Sequence, residues 1–394
     1  MSLMPQGIIK VHDIEGFDLL VNEYKNKRDL RFEFSPTHPV TNKMGAICKT
    51  LMENSMNSLC LDFTNHPLSD EDISELATFL QSDKCPDSIT LILAKTSLSI
   101  KSLGILADTV AQGGRASEVK LGLAGNRLGN EGAIMLAHAL QSDHCPSKVS
   151  LNLANNDISD KGFIELAAML KLPSSIHKLS LNLLFNPTTK LGSAALIEGM
   201  ECGTKKDSLS IMYEFSKHGT GVICSLANTL KSNKCPEELS LQFGVKHLTT
   251  NEVNILFEAL KTIKSPNQLE LDLSEQGLKD EGFAIILDAL EHMPDDLKIK
   301  LHLVYNAIKQ DGAQKLSNFI RANKIQSEVY MDLTENSFGG EAGRHKIHDA
   351  IVTNPQILNH LSIQGPTQDI GELCRSIRER SSEINHGENS GFTI

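Results

Sequence analysis

Asp272, His302 and Asp332 follow one another at intervals of thirty residues. An imidazole between two carboxylates is equipment for general acid-base catalysis. If the chain returns to one place every thirty residues as adjacent parallel strands, these side chains meet, because neighbouring strands lie about 4.8 Å apart. They are the constellation a cryptic hydrolase would use. The same stretch holds Glu270, Glu275, Tyr305, Tyr330 and Glu335. Carboxylates flanking tyrosines also make a seat for a basic protein surface, since charge complementarity steers encounter and tyrosine supplies rigid contact area. Binding is the better supported reading of these eight residues. The chain shows no Walker loop, dinucleotide fingerprint, serine elbow or kinase signature, and Gly203-Thr204-Lys205 lacks the upstream glycine loop that would cradle phosphate. No catalytic, cofactor-binding or metal-ligating residue is therefore assigned.

Other candidate chemistry is thinner. His345, His348 and Asp349, with Glu341 one turn earlier, share a helical stretch, but spacing without convergent ligands reads as a solvated helix face. His144 beside Cys145 is not a nucleophile pair, because the equivalent Lys84-Cys85 and Lys234-Cys235 lack the imidazole. Cys85, Cys145 and Cys235 share one phase of the period, and none of the eight cysteines forms a C-x-x-C pair. Strands two repeats apart are separated by roughly 9.6 Å, beyond disulfide reach, so reduced packing thiols and a reducing compartment are expected.

The elements that position these residues are written in the period itself. Apolar triplets begin at Leu59, Ile89, Val119, Val149, Leu179, Leu209, Leu239, Leu269, Ile299 and Val329, each with apolar residues two and four places on. That alternation is a strand with one face buried. In the unit starting at Val119, Val119, Leu121 and Leu123 point inward. The following helix is expected to bury Ile134, Leu136, Ala137 and Leu140. Asparagine recurs at Asn126, Asn156, Asn186, Asn306 and Asn336, where its amide can satisfy backbone groups turned inward after each strand. Glycine recurs at Gly132, Gly162, Gly192, Gly282 and Gly312, consistent with a tight passage into the helix. Both rows lapse around Ser216, Val222, Lys246 and Glu252.

With its L-x-L-x-x-N-x-L-x-x-x-G pattern, as in Leu151 to Gly162, the chain resembles the leucine-rich repeat family, in its ribonuclease-inhibitor-like class. The resemblance implies an α/β solenoid, a horseshoe with parallel strands on the concave face and helices on the convex face. It implies a non-catalytic protein-binding module that uses the concave face. The expected organisation is an N-terminal cap and irregular first repeat over 1–58, with Leu30, Phe32 and Phe34 as its strand. The solenoid follows over 59–363, Leu361 and Ile363 continuing the strand phase, then a capping helix over 364–380 built on Ile370, Leu373, Cys374 and Ile377. A polar, disordered tail spans 381–394. A second candidate surface is the pair Phe185 and Phe215 at one phase of the strand ends, more readily explained by packing under a loop.

The formal charge of −11 repels phosphate backbones and anionic lipid, and no run of lysines and arginines is longer than a pair such as Lys205-Lys206. Nucleic acid is excluded as a partner class. Pro5, Lys10, His12 and Asp13 interrupt the apolar start, so neither a Sec signal nor membrane insertion is expected. Glutamates at 379, 383 and 388 ahead of Phe392 and Ile394, with serine, asparagine and lysine alternating between repeats, resemble the leucine-rich effectors of the Legionella Dot/Icm type IV system. That resemblance implies a protein made in the bacterial cytoplasm and acting in a host cytosol, and a monomer is expected when it is unbound. It would bind a host or bacterial protein or inhibit another effector enzyme.

Overall fold

The computed structural model describes residues 8–12, 14–24, 27–37, 40, 42–202, 206–244, 247–365, 370–372 and 374–376. They form two compact units that meet in sequence between Met212 and Tyr213. In the first, strands and helices alternate as β1 (Ile9–Val11), α1 (Phe17–Glu23), β2 (Asp29–Phe34), α2 (Met44–Met52), β3 (Ser58–Asp62), α3 (Asp70–Gln81), β4 (Ser88–Ile92), α4 (Ile100–Gln112), β5 (Glu118–Gly122), α5 (Gly129–Ala139), β6 (Lys148–Asn152), α6 (Asp160–Lys171), β7 (Lys178–Asn182), α7 (Lys190–Gly199) and β8 (Ser208–Tyr213). Tyr213 opens the second, which continues as α8 (Thr220–Lys231), β9 (Glu238–Phe243), α9 (Thr250–Leu260), β10 (Gln268–Asp272), α10 (Lys279–Leu290), β11 (Lys298–His302), α11 (Gln310–Ala322), β12 (Glu328–Asp332), α12 (Glu341–Thr353) and β13 (Leu361–Gln364).

The strand pairings among the described residues are parallel and join strands consecutive in sequence, so the helices between them are crossovers. From β3 onward the register follows the thirty-residue period, as in Leu269 opposite Ile299 and Ile299 opposite Val329. The last pairing departs from it. Val329 faces Leu361, thirty-two positions on, so Gln364 falls beside Asp332. Leu361 and Ile363 are buried strand residues, as expected, but two residues out of the period, because the 3-10 turn Pro355–Asn359 takes up extra chain.

Alternation explains the core. Leu269, Leu271 and Leu273 are buried while Glu270 and Asp272 between them are half-exposed. In α5 the inward stripe is Gly132, Ala133, Leu136 and Ala137, with Leu140 beyond it. Ile134 is only half-buried; Ala133 takes the position given to it above, because the small side chain lets the helix lie close. At the start of the chain Phe32 meets Phe17 at 5.1 Å between ring centroids, and Phe34 stacks on Phe63 at 4.5 Å, closing the first repeat with aromatic rings. Ile370 and Cys374 are buried in helical residues after β13; Leu373, Ile377 and the tail over 381–394 lie outside the described residues.

The asparagine row is a ladder. Asn156 Oδ1 accepts the Asn126 and Leu128 amides at 2.9 and 3.4 Å, and its Nδ2 donates to the Leu123 carbonyl at 2.9 Å. Where asparagine lapses, Gln276 is fully buried and donates to the Gly244 carbonyl at 2.7 Å, and Ser216 is buried; Lys246 is outside the described residues. The glycine row has a cause that the sequence did not reveal. Asp280 at the start of α10 accepts the Lys309 and Gly312 amides at 2.6 and 3.0 Å, so its carboxylate tops the next helix. A Cβ on Gly312 would sit 2.7 Å from that oxygen and 2.3 Å from Ile308 Cγ2. Asp160 does the same for Thr189 and Gly192. At the lapse at position 252, Glu252 instead forms a capping box with Thr249. All eight cysteines are free thiols. Cys145 Sγ donates to the Ala139 carbonyl at 3.3 Å, satisfying an orphan acceptor at a helix end. Among the described residues no helix is long and apolar enough to cross a membrane.

Candidate functional site

The eight residues singled out above all lie in the second unit, on β10, β11 and β12 and the turns that leave them. Register fixes two rows on the strands themselves. Glu270, Lys300 and Tyr330 stand opposite one another, as do Asp272, His302 and Asp332. A third row lies just past the strand ends. Glu275 N–H donates to the Val304 carbonyl at 2.8 Å and Tyr305 N–H to the Thr334 carbonyl at 3.3 Å, so Glu275, Tyr305 and Glu335 continue the ladder beyond the strands.

Glu270, His302 and Tyr330 on the strand rows have side-chain partners. His302 Nε2 meets Glu270 Oε1 at 2.9 Å across the rows, not either aspartate. Hydrogen bonding to Glu270 lifts the His302 imidazole above its ordinary value, helped by the charges of Asp272 and Asp332 against the opposing effect of burial. The same bond, with the nearby charge of Lys300, holds Glu270 below the usual carboxylate range. Asp272 Oδ1 accepts its own turn's Ser274 amide at 3.1 Å. Asp332 Oδ1 accepts the Thr334 amide at 3.0 Å and hydroxyl at 2.6 Å. The Tyr330 hydroxyl donates to Gln364 Oε1 at 2.7 Å, and its ring lies 6.0 Å from that of His302. Burial raises the Tyr330 phenol, and Asp332 and Glu270 raise it further. The aspartate-histidine-aspartate row is thus adjacent in register, with each aspartate turned to its own loop and the imidazole turned to Glu270.

The turn row differs. Glu275, Tyr305 and Glu335 are exposed, Tyr305 by 58%, and no ion pair among the described residues involves either glutamate. All three hold left-handed backbone, with φ of 60°, 55° and 60°. The following residue must turn inward to join the buried ladder, as Gln276, Asn306 and Asn336 do, and the left-handed turn accomplishes this. Gln364 and Lys300 belong to the surroundings of the site and escaped the sequence reading. The shifted register of β13 hides Gln364 in the sequence, and Lys300 stands between Glu270 and Tyr330 in its row.

Elsewhere, Phe185 in the first unit holds the same turn position with φ of 58° and is 52% exposed. Phe215 in the second unit is fully buried against Tyr213 and Phe243, at 5.3 and 5.1 Å between centroids. The two phenylalanines therefore make no common surface. His345 and His348 are exposed on α12, with His348 Nδ1 3.6 Å from Asp349.

A family model described as Leucine Rich repeat matches residues 119–137 and 149–167, the strand-to-helix portions of two consecutive units. Parallel strands alternating with helices are consistent with a leucine-rich repeat α/β solenoid. Repeats of this family generally mediate protein-protein interaction, and the units of β10 to β12 repeat the strand in the same thirty-residue register. A search of curated proteins returns no match.

Proposed function

We propose that the chain is a non-catalytic protein-binding module whose partner seats on the outward face of β10 to β12 and on the turn row beside it. One observation carries this reading: Glu275, Tyr305 and Glu335 are the residues of the candidate set left exposed and without internal ion pairs, whereas Glu270, His302 and Tyr330 on the strand rows have side-chain partners. An exposed aromatic flanked by carboxylates is a contact surface awaiting complementary charge. His302 is hydrogen-bonded to Glu270 and occupies that carboxylate. The partner is a protein with a basic surface, bound by the monomer.

Resemblance to the ribonuclease-inhibitor-like class and to Dot/Icm leucine-rich effectors supports a further proposal, delivery into a host cytosol to bind a host regulator or restrain another effector. The candidate export signal over 381–394 is tested by deleting those residues and measuring translocation; undiminished delivery removes this reading. The binding reading is tested by affinity capture from host lysate with the native chain and a Glu275→Lys, Glu335→Lys variant of unchanged circular dichroism. Loss of specific partners is expected, and identical capture lists would sink the assignment of this surface.

A further inference from the structure

We propose that the turn row is an arginine seat: the guanidinium of a basic partner segment stacks on the Tyr305 ring and is held between the carboxylates of Glu275 and Glu335. This rests on the binding reading above and specifies what that surface recognises.

Three features of the fold converge on it. The ring of Tyr305 is more than half exposed, whereas the neighbouring Tyr330 is tied to Gln364 through its hydroxyl. Glu275 and Glu335 flank Tyr305 in consecutive repeats, so their Cα atoms lie roughly 4.8 Å to either side and about 9.6 Å from one another. That span admits one planar group over the ring with a carboxylate at each edge. The backbone is fixed by hydrogen bonds of the Tyr305 and Asn306 amides, so the three side chains project from a set frame.

The choice of arginine over lysine follows from the chemistry of the two cations. A guanidinium is planar, weakly hydrated and offers five donors in a fork, so it stacks on an aromatic ring and still bonds carboxylates at its edges. An ammonium is a compact, strongly hydrated point charge and satisfies one of these demands at a time. On the strand rows Glu270 is held by His302 and one oxygen each of Asp272 and Asp332 is held by its turn, and both aspartates are less exposed than Glu275 and Glu335. Asp272 and Asp332 keep their charge and add to the negative potential beside the turn row, whose two carboxylates are the exposed ones. Lys279 and Lys309 are exposed on adjoining turns, and neither pairs with Glu275 or Glu335.

The test uses the full chain and two fluorescein-labelled peptides, six arginines or six lysines spaced by glycine-serine, read by fluorescence anisotropy at 50 and 150 mM salt. The native chain is expected to bind the arginine peptide about tenfold more tightly. Tyr305→Asn, chosen because Asn65 and Asn155 hold the same turn position with φ of 65° and 54°, is expected to bring that ratio to about one. Tyr305→Phe keeps the ratio, since the ring and not the hydroxyl does the stacking. Glu275→Gln with Glu335→Gln weakens both peptides. A native ratio near one, or a ratio retained in Tyr305→Asn, overturns the arginine seat. Loss of lysate capture in Glu275→Lys, Glu335→Lys together with a native ratio near one would leave the binding surface standing and remove the arginine seat alone.

Discussion

Replacing Asn336 with alanine tests whether the ladder or the ligand explains the asparagine row. Asn336 is buried, and its Oδ1 accepts the amides of Asn306 and Ile308 at 3.0 and 3.1 Å, the two residues that flank the inward turn after Tyr305. Its Nδ2 donates to the Leu303 and Leu333 carbonyls at 2.8 and 3.0 Å. Alanine leaves both amides buried without an acceptor, and each such group costs about 1–3 kcal/mol, so a local loss of roughly 4 kcal/mol is expected before the carbonyls are considered. At about 1.4 kcal/mol per tenfold, that is near a thousandfold drop in protection. Hydrogen exchange with mass spectrometry, reading Asn306 and Ile308, measures it directly and does not require the stacked repeats to unfold in one step. Because the affected turn carries Tyr305, capture of the partner is expected to fall as well. Asn336→Gln is expected to lose the same protection, since Gln276, at the same phase of the period, donates to the Gly244 carbonyl while its Oε1 has no partner among the described residues. A loss under about 1 kcal/mol with unchanged protection at both amides would refute the ladder as the reason for asparagine.

Other expectations follow from the same geometry. Gly312→Ala puts a Cβ against Ile308 and the Asp280 carboxylate and is expected to cost about 1–3 kcal/mol in urea unfolding, whereas Gly221→Ala meets nothing within 4 Å and is expected to be neutral or slightly stabilising. Burial pushes the thiols of Cys48 and Cys85 up to about 12 and those of Cys60 and Cys145 to about 11. At pH 8 the native chain is therefore expected to take up maleimide at half-buried Cys224 alone, and modification of Cys85 would contradict the packing. For the Glu270 and His302 pair the folded imidazole value is raised and the folded carboxylate value lowered. Its contribution is thus lost as pH rises through the folded histidine value and as pH falls through the folded glutamate value, leaving it largest between about 4.5 and 6.5. Glu270→Gln should lower the His302 titration midpoint seen by NMR, and an unmoved midpoint would show that the pair does not form in solution.

The period made the strands, the register of Asp272, His302 and Asp332, and the buried asparagines legible, because each is a consequence of burial repeated at a fixed spacing. It could not show which of several acids a histidine chooses. Glu270 and Asp272 are two residues apart on one strand, and only side-chain direction decides that His302 bonds the former. Gln364 escaped because a 3-10 turn displaces β13 by two residues, and Ile134 was misplaced because helical spacing admits either it or Ala133 to the inner stripe. The glycine row was seen but its reason was not: the Asp280 carboxylate that fills the space at Gly312 comes from the preceding repeat, a relation across thirty-two positions.

The turn row offers the sharpest separation of fold from function. The ladder demands left-handed backbone at this position, and the first unit often meets the demand with residues that tolerate it, Asn65, Gly125 and Asn155. Glu275, Tyr305 and Glu335 meet it at a cost of about 1–2 kcal/mol each. Nothing in the packing repays the two glutamates, which are exposed and unpaired among the described residues. If binding retains them, then Glu275→Asn with Glu335→Asn is expected to raise stability by about 1–2 kcal/mol in total while weakening capture of the basic partner. Both readouts are needed, because the two effects have opposite signs and a merely structural role would move them together. A double variant that is less stable than the native chain would mean that the glutamates serve the fold, and the reason for placing function on this row would be gone.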